Sequence, residues 1–144
     1  MATCVFCSIV AGTTPAHLVL DGPAVLAFLD ARPLFPGHTL VVPRAHRATL
    51  RDVPAEELGS LFTGAQRVSL ALERALDSDG TFVALNDRVS QSVPHVHVHV
   101  VPRRKGDGLR GFFWPRHKYA TDEEAAAVAT KIRDALEGAR QEEP

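Results

Sequence analysis

Three histidines at alternate positions are the residues of this chain whose type and spacing best suit chemistry. They are His95, His97 and His99, and each is followed by a valine. β-Branched residues at every second position favour an extended backbone, in which residues i, i+2 and i+4 project from one face. At about 3.3 Å per residue, neighbouring imidazoles would start roughly 6.6 Å apart. The pattern therefore predicts a strand that buries its valines and presents three imidazoles together.

The simplest chemistry for such a row is nucleophilic attack by imidazole. A metal site built from this strand alone is disfavoured, because the ligands of a tetrahedral zinc ion rarely all come from one flat face. A neutral imidazole can attack phosphorus if one nitrogen is free and the other is held as a donor. The central His97 is best placed for this role. His99 can polarise the phosphoryl oxygens or help to protonate the leaving group, and Ser92 and Gln91 supply neutral donors.

A second chemical motif opens the chain, where Cys4 and Cys7 are separated by two residues. This spacing suits a redox pair, half of a zinc site or two buried thiols. A redox pair normally follows a strand in a βαβ unit, whereas this pair precedes every predicted strand. The redox interpretation is therefore disfavoured, and the other two stay open.

Length and charge exclude several classes of protein. At 144 residues and 15.6 kDa we expect one domain over residues 1–140, with a frayed tail at 141–144. A net charge of −1 gives no global attraction to nucleic acid. No basic leader or long apolar run is present, so we expect a soluble cytoplasmic protein with no membrane partner. No phosphate-binding loop with lysine or acidic Mg²⁺ cluster is evident, which predicts catalysis without a metal.

The elements that must position these groups are short extended runs and two helices. The patterns predict a helical turn over 4–11, a hairpin of 17–20 and 25–29, a loop over 30–37, strands over 39–42 and 81–85, the triad strand, and helices from Asp52 to about Asp77 and from Thr121 to Gly138. Asp52 is predicted to cap the long helix, and Thr121 with Glu124 to form a capping box. This order predicts an α+β fold: a five-stranded, mostly antiparallel sheet, a long crossover helix and a C-terminal helix, with the helices on one face.

The triad motif, preceded by Gln91-Ser92-Val93, resembles the signature of the histidine triad superfamily of nucleotide hydrolases and transferases. The resemblance covers nearly the whole chain. It also includes Cys4-Val5-Phe6-Cys7, Phe28-Leu29-Asp30, the segment from Pro36 to Pro43 that contains His38, His46 and Asn86, all in the family's order.

The resemblance implies hydrolysis at a nucleotide α-phosphate through a covalent phosphohistidine on His97, which releases a nucleoside monophosphate. It places His38 near the same pocket, to contact phosphate or to hold the nucleophile. The uridylyltransferase branch carries glutamine where this chain has His99, so hydrolysis is favoured over transfer. A dinucleoside polyphosphate or a nucleoside phosphoramidate would be the substrate. The alternatives are a nucleotidyltransferase or a non-catalytic module that binds nucleotide or zinc.

The resemblance also assigns contacts to a purine nucleotide. It places Phe28 against the base, Asp30 on the ribose hydroxyls, and Asn86, Gln91 and Ser92 among the substrate-binding residues. A carboxylate suits a cis-diol because it can accept two hydrogen bonds. Asp30 could equally cap the turn that follows it. Ser90 stands where many members carry glycine before the glutamine.

Bacterial-type members with an N-terminal C-x-x-C motif often bind zinc. The resemblance puts the ligands here at Cys4, Cys7, His46 and His95. Two thiolates and two imidazoles make a closed tetrahedral set, which indicates a structural zinc ion. The resemblance further implies a homodimer.

Overall fold

The sheet has the predicted strand count and pairing. The computed structural model describes residues 3–109 and 116–140. Within these ranges the elements are α1 (Val5–Val10), β1 (Leu18–Asp21), β2 (Val25–Leu29), β3 (Thr39–Pro43), a 3-10 turn (Leu50–Asp52), α2 (Ala55–Leu76), β4 (Gly80–Ala84), β5 (Val98–Arg103) and α3 (Asp122–Arg140). The strand order is β1-β2-β3-β5-β4, and every neighbouring pair is antiparallel. The predicted α+β fold is confirmed.

The two faces of the sheet are covered by different helices. Val25, Ala27 and Val41 alternate along β2 and β3 and pack with the buried stripe of α2. The residues between them face the other way, where Phe6 of α1 joins a second cluster with Phe28 and others. The sequence predicted α1 as a helical turn and assigned it to neither face of the sheet. The apolar side of α1 covers the face that α2 leaves open.

The long helix predicted from Asp52 to about Asp77 is present as α2, but it begins at Ala55. Leu61 is fully buried in the α2 cluster, whereas Phe62 is 44% exposed. Asp52 does not cap this helix, because its carboxylate accepts hydrogen bonds from the backbone N–H and the hydroxyl of Thr49 and so closes the 3-10 turn. The residue before α2 is Pro54, which needs no N–H partner at a helix start.

The chain divides into two compact units, Met1–Asp107 and Gly108–Pro144. In the second unit, Thr121 caps α3, since its hydroxyl accepts from the N–H of Glu124 at 3.1 Å. The predicted stop at Gly138 is wrong, because α3 continues to Arg140. The tail predicted to fray, 141–144, lies outside the described residues, and one domain over 1–140 stays a prediction. Across the described ranges, none of the helices has the length and apolar character to cross a bilayer.

The triad segment departs from the predicted strand. Only His99 lies in β5, where it pairs with Leu40. His95 and His97 precede the ladder, which stops at the Val98–Val41 pair. The pairing stops because of Pro43, two residues after Val41 in β3. Proline has no N–H to donate to a partner strand, and the carbonyl of Pro43 is already bonded to the ring of His95. The expected burial of the valines is nevertheless correct, and Val98 and Val100 pack in the α2 cluster.

Candidate active site and metal centre

A cavity of about 770 Å³ lies between α1, β2 and the triad segment. Its apolar wall includes Phe6 and Phe28, and its polar lining includes Asp30, Ser92, His97 and His99 among others. This volume lies in the range of small-molecule and cofactor sites. A lining that combines aromatic rings with imidazoles and a carboxylate suits a ligand that has both an aromatic base and a polar group.

His97 is held in one tautomer by the backbone. Its Nδ1 lies 2.8 Å from the carbonyl oxygen of His95, and a carbonyl can only accept, so Nδ1 carries the proton. Nε2 therefore has a free lone pair. The ring is 3% exposed and packs edge-on against Phe6, with ring centroids 5.1 Å apart. His97 lines the cavity with its orientation fixed on two sides.

His99 is fixed by a chain of donors that begins in the loop before β3. The backbone N–H of Leu34 donates to Nδ1 of His38 at 3.1 Å, so a neutral His38 carries its proton on Nε2. That Nε2–H donates to Nδ1 of His99 at 2.9 Å, which leaves His99 with a proton on Nε2. Burial lowers the pKa of His38, and burial with the neighbouring imidazoles lowers the pKa of His99 to about 4. Near pH 7 both rings are neutral.

The structure brings His99 beside His97. Their ring centroids are 5.0 Å apart at an angle of 64°. His97 therefore has a lone pair on Nε2, and His99 beside it has a proton on Nε2. A phosphoryl group in the cavity could accept a hydrogen bond from one ring while the other attacks it.

Asp30 takes the turn-capping role and also lines the cavity. Its Oδ1 accepts from the backbone N–H of Arg32 at 2.9 Å. Its Oδ2 lies 3.7 Å from Nε2 of His38, beyond hydrogen-bond distance. One carboxylate oxygen thus holds the loop, and the other can accept from a ligand. The two functions expected of Asp30 are compatible in this geometry.

The remaining predicted substrate contacts are divided. Ser92 lines the cavity, but Gln91 and Asn86 are not among its described lining residues. The side-chain amides of Gln91 and Asn86 bond to loop backbone instead. Gln91 donates to the carbonyl of Ala48 at 2.7 Å, and Asn86 donates to the carbonyl of Ser90 at 3.3 Å. Ser90 has φ +61°, a left-handed conformation that glycine adopts more readily. Contact of Gln91 and Asn86 with substrate stays a prediction.

The four side chains expected to bind zinc converge. The ligand atoms of Cys4, Cys7, His46 and His95 all lie within 4.8 Å of one another. Nδ1 of His95 is 3.5 Å from the Cys4 sulfur and 3.6 Å from that of Cys7, and Nδ1 of His46 is 3.3 Å from the Cys7 sulfur. Zn–S bonds of about 2.3 Å and Zn–N bonds of about 2.0 Å at the tetrahedral angle give S···N separations of roughly 3.6 Å. The set fits a tetrahedral zinc ion.

The protonation of His95 also suits a ligand. Its Nε2 lies 2.8 Å from the carbonyl of Pro43, so that nitrogen is the donor and Nδ1 faces the sulfurs with a lone pair. Burial lowers the pKa of His95, which keeps the ring neutral. Burial raises the pKa of the Cys7 thiol, helped by the neighbouring Cys4, and a bound cation would favour the thiolate of Cys7.

Sequence reasoning missed several residues of the cavity. Phe6 lies within 5.1–5.9 Å, centroid to centroid, of the rings of Phe28, His95 and His97, and so joins the two sites. Arg32 is a cation in the cavity lining, and His17 lines it as well. Phe6 could have been found from its place between the two cysteines, because a zinc site near His95 brings α1 onto the triad. Arg32 and His17 carry no comparable signal.

A five-stranded antiparallel sheet that carries paired imidazoles beside a nucleotide-sized cavity defines a class of proteins. The family model for the HIT domain matches residues 11–106, and the chain belongs to the histidine triad (HIT) family. It is 39% identical to an uncharacterized HIT-like protein of Mycobacterium tuberculosis over 92% of each chain.

Solved structures show the same fold. A HIT family protein from Bacillus subtilis superposes with a TM-score of 0.84 at 32% identity, covering 92% of this chain and 96% of that one. A zinc-bound histidine triad protein from Mycobacterium smegmatis superposes with a TM-score of 0.72 at 37% identity, covering 92% and 97%. A relative of this fold thus holds the metal that the cysteine and histidine set fits.

Two curated relatives have hydrolase names. The chain is 30% identical to an adenylylsulfatase of Arabidopsis thaliana over 90% of this chain and 68% of that protein. It is 39% identical to an asymmetrical bis(5′-nucleosyl)-tetraphosphatase of Schizosaccharomyces pombe over 56% of this chain and 46% of that protein. Hydrolysis of nucleotide substrates is therefore an activity found within the family.

Proposed function

We propose that this protein is a nucleotide phosphohydrolase that attacks the α-phosphate of a dinucleoside polyphosphate or a nucleoside phosphoramidate. The observation that carries the proposal is the pair of fixed tautomers in the cavity, with a lone pair on Nε2 of His97 and a proton on Nε2 of His99. The names of the two hydrolase relatives support a nucleotide substrate, and one of them names a dinucleoside tetraphosphate. The enzyme would act as a homodimer, as the family resemblance implies, and in the cytoplasm, as expected from a sequence without a basic leader or a long apolar run.

The reaction has two displacement steps. In the first, the lone pair on Nε2 of His97 forms a bond to the α-phosphorus, and the bond to the leaving group breaks with its electrons going to that group. The cationic ring keeps its Nδ1–H on the carbonyl of His95. In the second, water attacks the phosphorus, the P–N bond breaks with its electrons returning to Nε2, and one water proton leaves to solvent. The product is a nucleoside monophosphate.

Recognition uses both walls of the cavity. The base would pack against Phe28 and Phe6, which form the apolar wall, and a purine offers the larger contact area. The ribose hydroxyls would donate to Oδ2 of Asp30. Ser92 and the Nε2–H of His99 would donate to the α-phosphate oxygens. The zinc set would hold a structural ion that ties α1 to the triad segment and takes no part in either step.

The neutral state of His99 favours one kind of leaving group. Near pH 7 neither His38 nor His99 carries a second ring proton: the N–H of His38 is donated to His99, and the N–H of His99 lies on Nε2. A phosphate leaving group departs as an anion and needs no proton, whereas an amine leaving group does. A phosphoanhydride such as a dinucleoside polyphosphate is therefore the better substrate at neutral pH.

The proposal is tested with His97→Ala and diadenosine tetraphosphate as substrate. Without the nucleophile, turnover should fall by about a thousandfold or more, while binding of adenosine monophosphate stays within about threefold of wild type. Residual activity above about a tenth of wild type would refute the assignment. A wild-type protein that binds the nucleotide and never turns it over would be a binding module, and one that transfers the nucleotide to an acceptor other than water would be a transferase.

A further inference from the structure

The ladder of the sheet does not hold the two residues that matter most to the proposed reaction. β3 and β5 pair from Thr39–Val100 to Val41–Val98 and no further among the described residues. His97 and His95 lie beyond that limit. The carbonyl that fixes the tautomer of His97 therefore belongs to a residue without a ladder partner. Something other than sheet pairing must orient it.

The contacts that replace the ladder converge on His95. Its backbone N–H donates to the carbonyl of Val93 at 2.8 Å, and the next N–H, of Val96, donates to that of Arg47 at 2.7 Å. Its ring is fully buried, with Nε2–H on the carbonyl of Pro43 and Nδ1 facing the two cysteine sulfurs. The ring is thus clamped between β3 and the cysteine pair, and its own carbonyl holds His97.

We infer that the Cys4-Cys7-His46-His95 set positions the nucleophile, with His95 as the residue through which metal binding orients His97. This inference rests on the proposed function and deepens it. With the ion bound, the side chain of His95 cannot turn, so its carbonyl stays aimed at Nδ1 of His97. With the ion removed, only weak S–H···N contacts of 3.3–3.6 Å remain on that side. The peptide of the His95 carbonyl is also held through the Val96 N–H by Arg47, the neighbour of the ligand His46. Release of both His46 and His95 therefore loosens that peptide, and His97 loses its single tautomer.

His46 is the ligand to change, because it is the exposed member of the set and is not among the described residues that line the cavity. Its ring packs against that of His95, with centroids 5.1 Å apart. His46→Gln should bind less than about a tenth of an equivalent of zinc. kcat for diadenosine tetraphosphate should fall by about ten- to a hundredfold, with KM within about twofold of wild type, because a small misplacement of the nucleophile affects the chemical step. His46→Cys restores a four-ligand set and should recover both zinc and kcat.

A structural readout separates this inference from the proposed function. Nitrogen NMR of the histidine rings should show one tautomer of His97 in zinc-loaded wild type, with the proton on Nδ1. In zinc-free wild type and in His46→Gln the same ring should show both tautomers. This measurement needs no substrate, so it stands even if diadenosine tetraphosphate is not turned over.

Two control variants distinguish the loss of zinc from the loss of any histidine and from a general loss of stability. His117→Gln changes an exposed histidine of the second unit and should leave zinc, kcat and the His97 signal as in wild type. Val68→Ala weakens the α2 cluster, far in sequence from all four ligands, and lowers stability without touching the metal set. The inference is overturned if Val68→Ala lowers kcat as much as His46→Gln does. It is also overturned if zinc-free His46→Gln keeps a single His97 tautomer, or if His46→Cys binds zinc without recovering kcat.

Discussion

Two clusters of side chains of the kinds that bind metals lie at opposite ends of the triad. Cys4, Cys7, His46 and His95 form one, and Asp30, His38 and His99 form the other; within each, the ligand atoms lie no more than 4.8 Å apart. In the first group, the Nε2–H of His95 is directed away to a backbone carbonyl, so its lone pair points inward at the sulfurs. In the second group, the two imidazoles are bonded to each other in a donor chain that starts at Leu34.

The difference lies in the placement of protons rather than in residue type. A cation at the second group would require His38 to give up the Nε2–H that it donates, and Nδ1 would then carry a proton facing the N–H of Leu34. At the first group a cation replaces only weak contacts between thiols and imidazoles. We therefore assign the metal to the cysteine group and proton placement to the other.

The largest effect should follow from breaking the donor chain. His38→Ala removes the group that fixes the tautomer of His99, and kcat for diadenosine tetraphosphate should fall by about a hundredfold. Gln at this position can place an amide N–H near the same point, so His38→Gln should keep more activity than His38→Ala. Steady-state kinetics of both variants checks this. Equal and undiminished activity in the two would leave His38 as a packing residue.

Breaking the metal group should lower both stability and turnover. Cys4→Ser should lose zinc and lower the melting temperature by roughly 5–10 °C, while part of the activity remains. Elemental analysis with calorimetry measures both, and about one equivalent of zinc per chain is expected for wild type and none for the variant. A second equivalent of zinc in wild type that survives in Cys4→Ser would place a metal at Asp30, His38 and His99. That result would contradict the assignment of the metal to the cysteine group alone.

The lowered pKa of His99 predicts how pH selects among leaving groups. With a pKa of about 4, below the ordinary value near 6.5, the protonated fraction of His99 rises about a hundredfold from pH 7 to pH 5. The ratio of kcat/KM for adenosine phosphoramidate to that for diadenosine tetraphosphate should then rise by about tenfold or more. A ratio that stays flat would show that His99 supplies no proton to the amine.

The smallest effect should come from a loop that belongs to neither group. Ser90→Gly relieves a left-handed backbone at φ +61° and should stabilise the fold by about 0.5 kcal/mol, after the greater flexibility of glycine in the unfolded chain is subtracted. Chemical denaturation measures this. Ser90→Ala is the matched control and should give no gain. A gain for alanine equal to that for glycine would mean that the backbone is not strained there.

Much of this architecture follows from local patterns in the sequence. The short apolar strands β2 and β3, the long helix α2 and the cap at Thr121 depend on neighbours a few positions away, and these predictions are confirmed. The side of the sheet that α1 covers was not predicted, because a six-residue helix shows its apolar side but not the partner that it meets. The extent of α3 depended on Gly138, which a helix can accommodate at a modest cost.

The residues of the site could be predicted from the sequence, but the contacts that hold them in place could not. The spacing of His95, His97 and His99 indicated the chemistry, and the resemblance supplied the metal set. The end of the ladder at Val98 could not be read from the alternation, because it depends on Pro43, whose carbonyl is used by a histidine 52 positions away. The role of Leu34 in the donor chain is likewise invisible, since it uses a backbone N–H that every residue except proline has.

The most direct test of the central claim is to trap the nucleotide on the enzyme. Zinc-loaded protein is mixed with diadenosine tetraphosphate, quenched within a single turnover under alkaline conditions that preserve phosphohistidine, and digested for mass spectrometry. The proposed mechanism predicts one adenylyl group on the peptide that contains His97, absent in His97→Ala. Turnover at the wild-type rate with the adduct on another residue, or with none under conditions that preserve a control phosphohistidine, would contradict it.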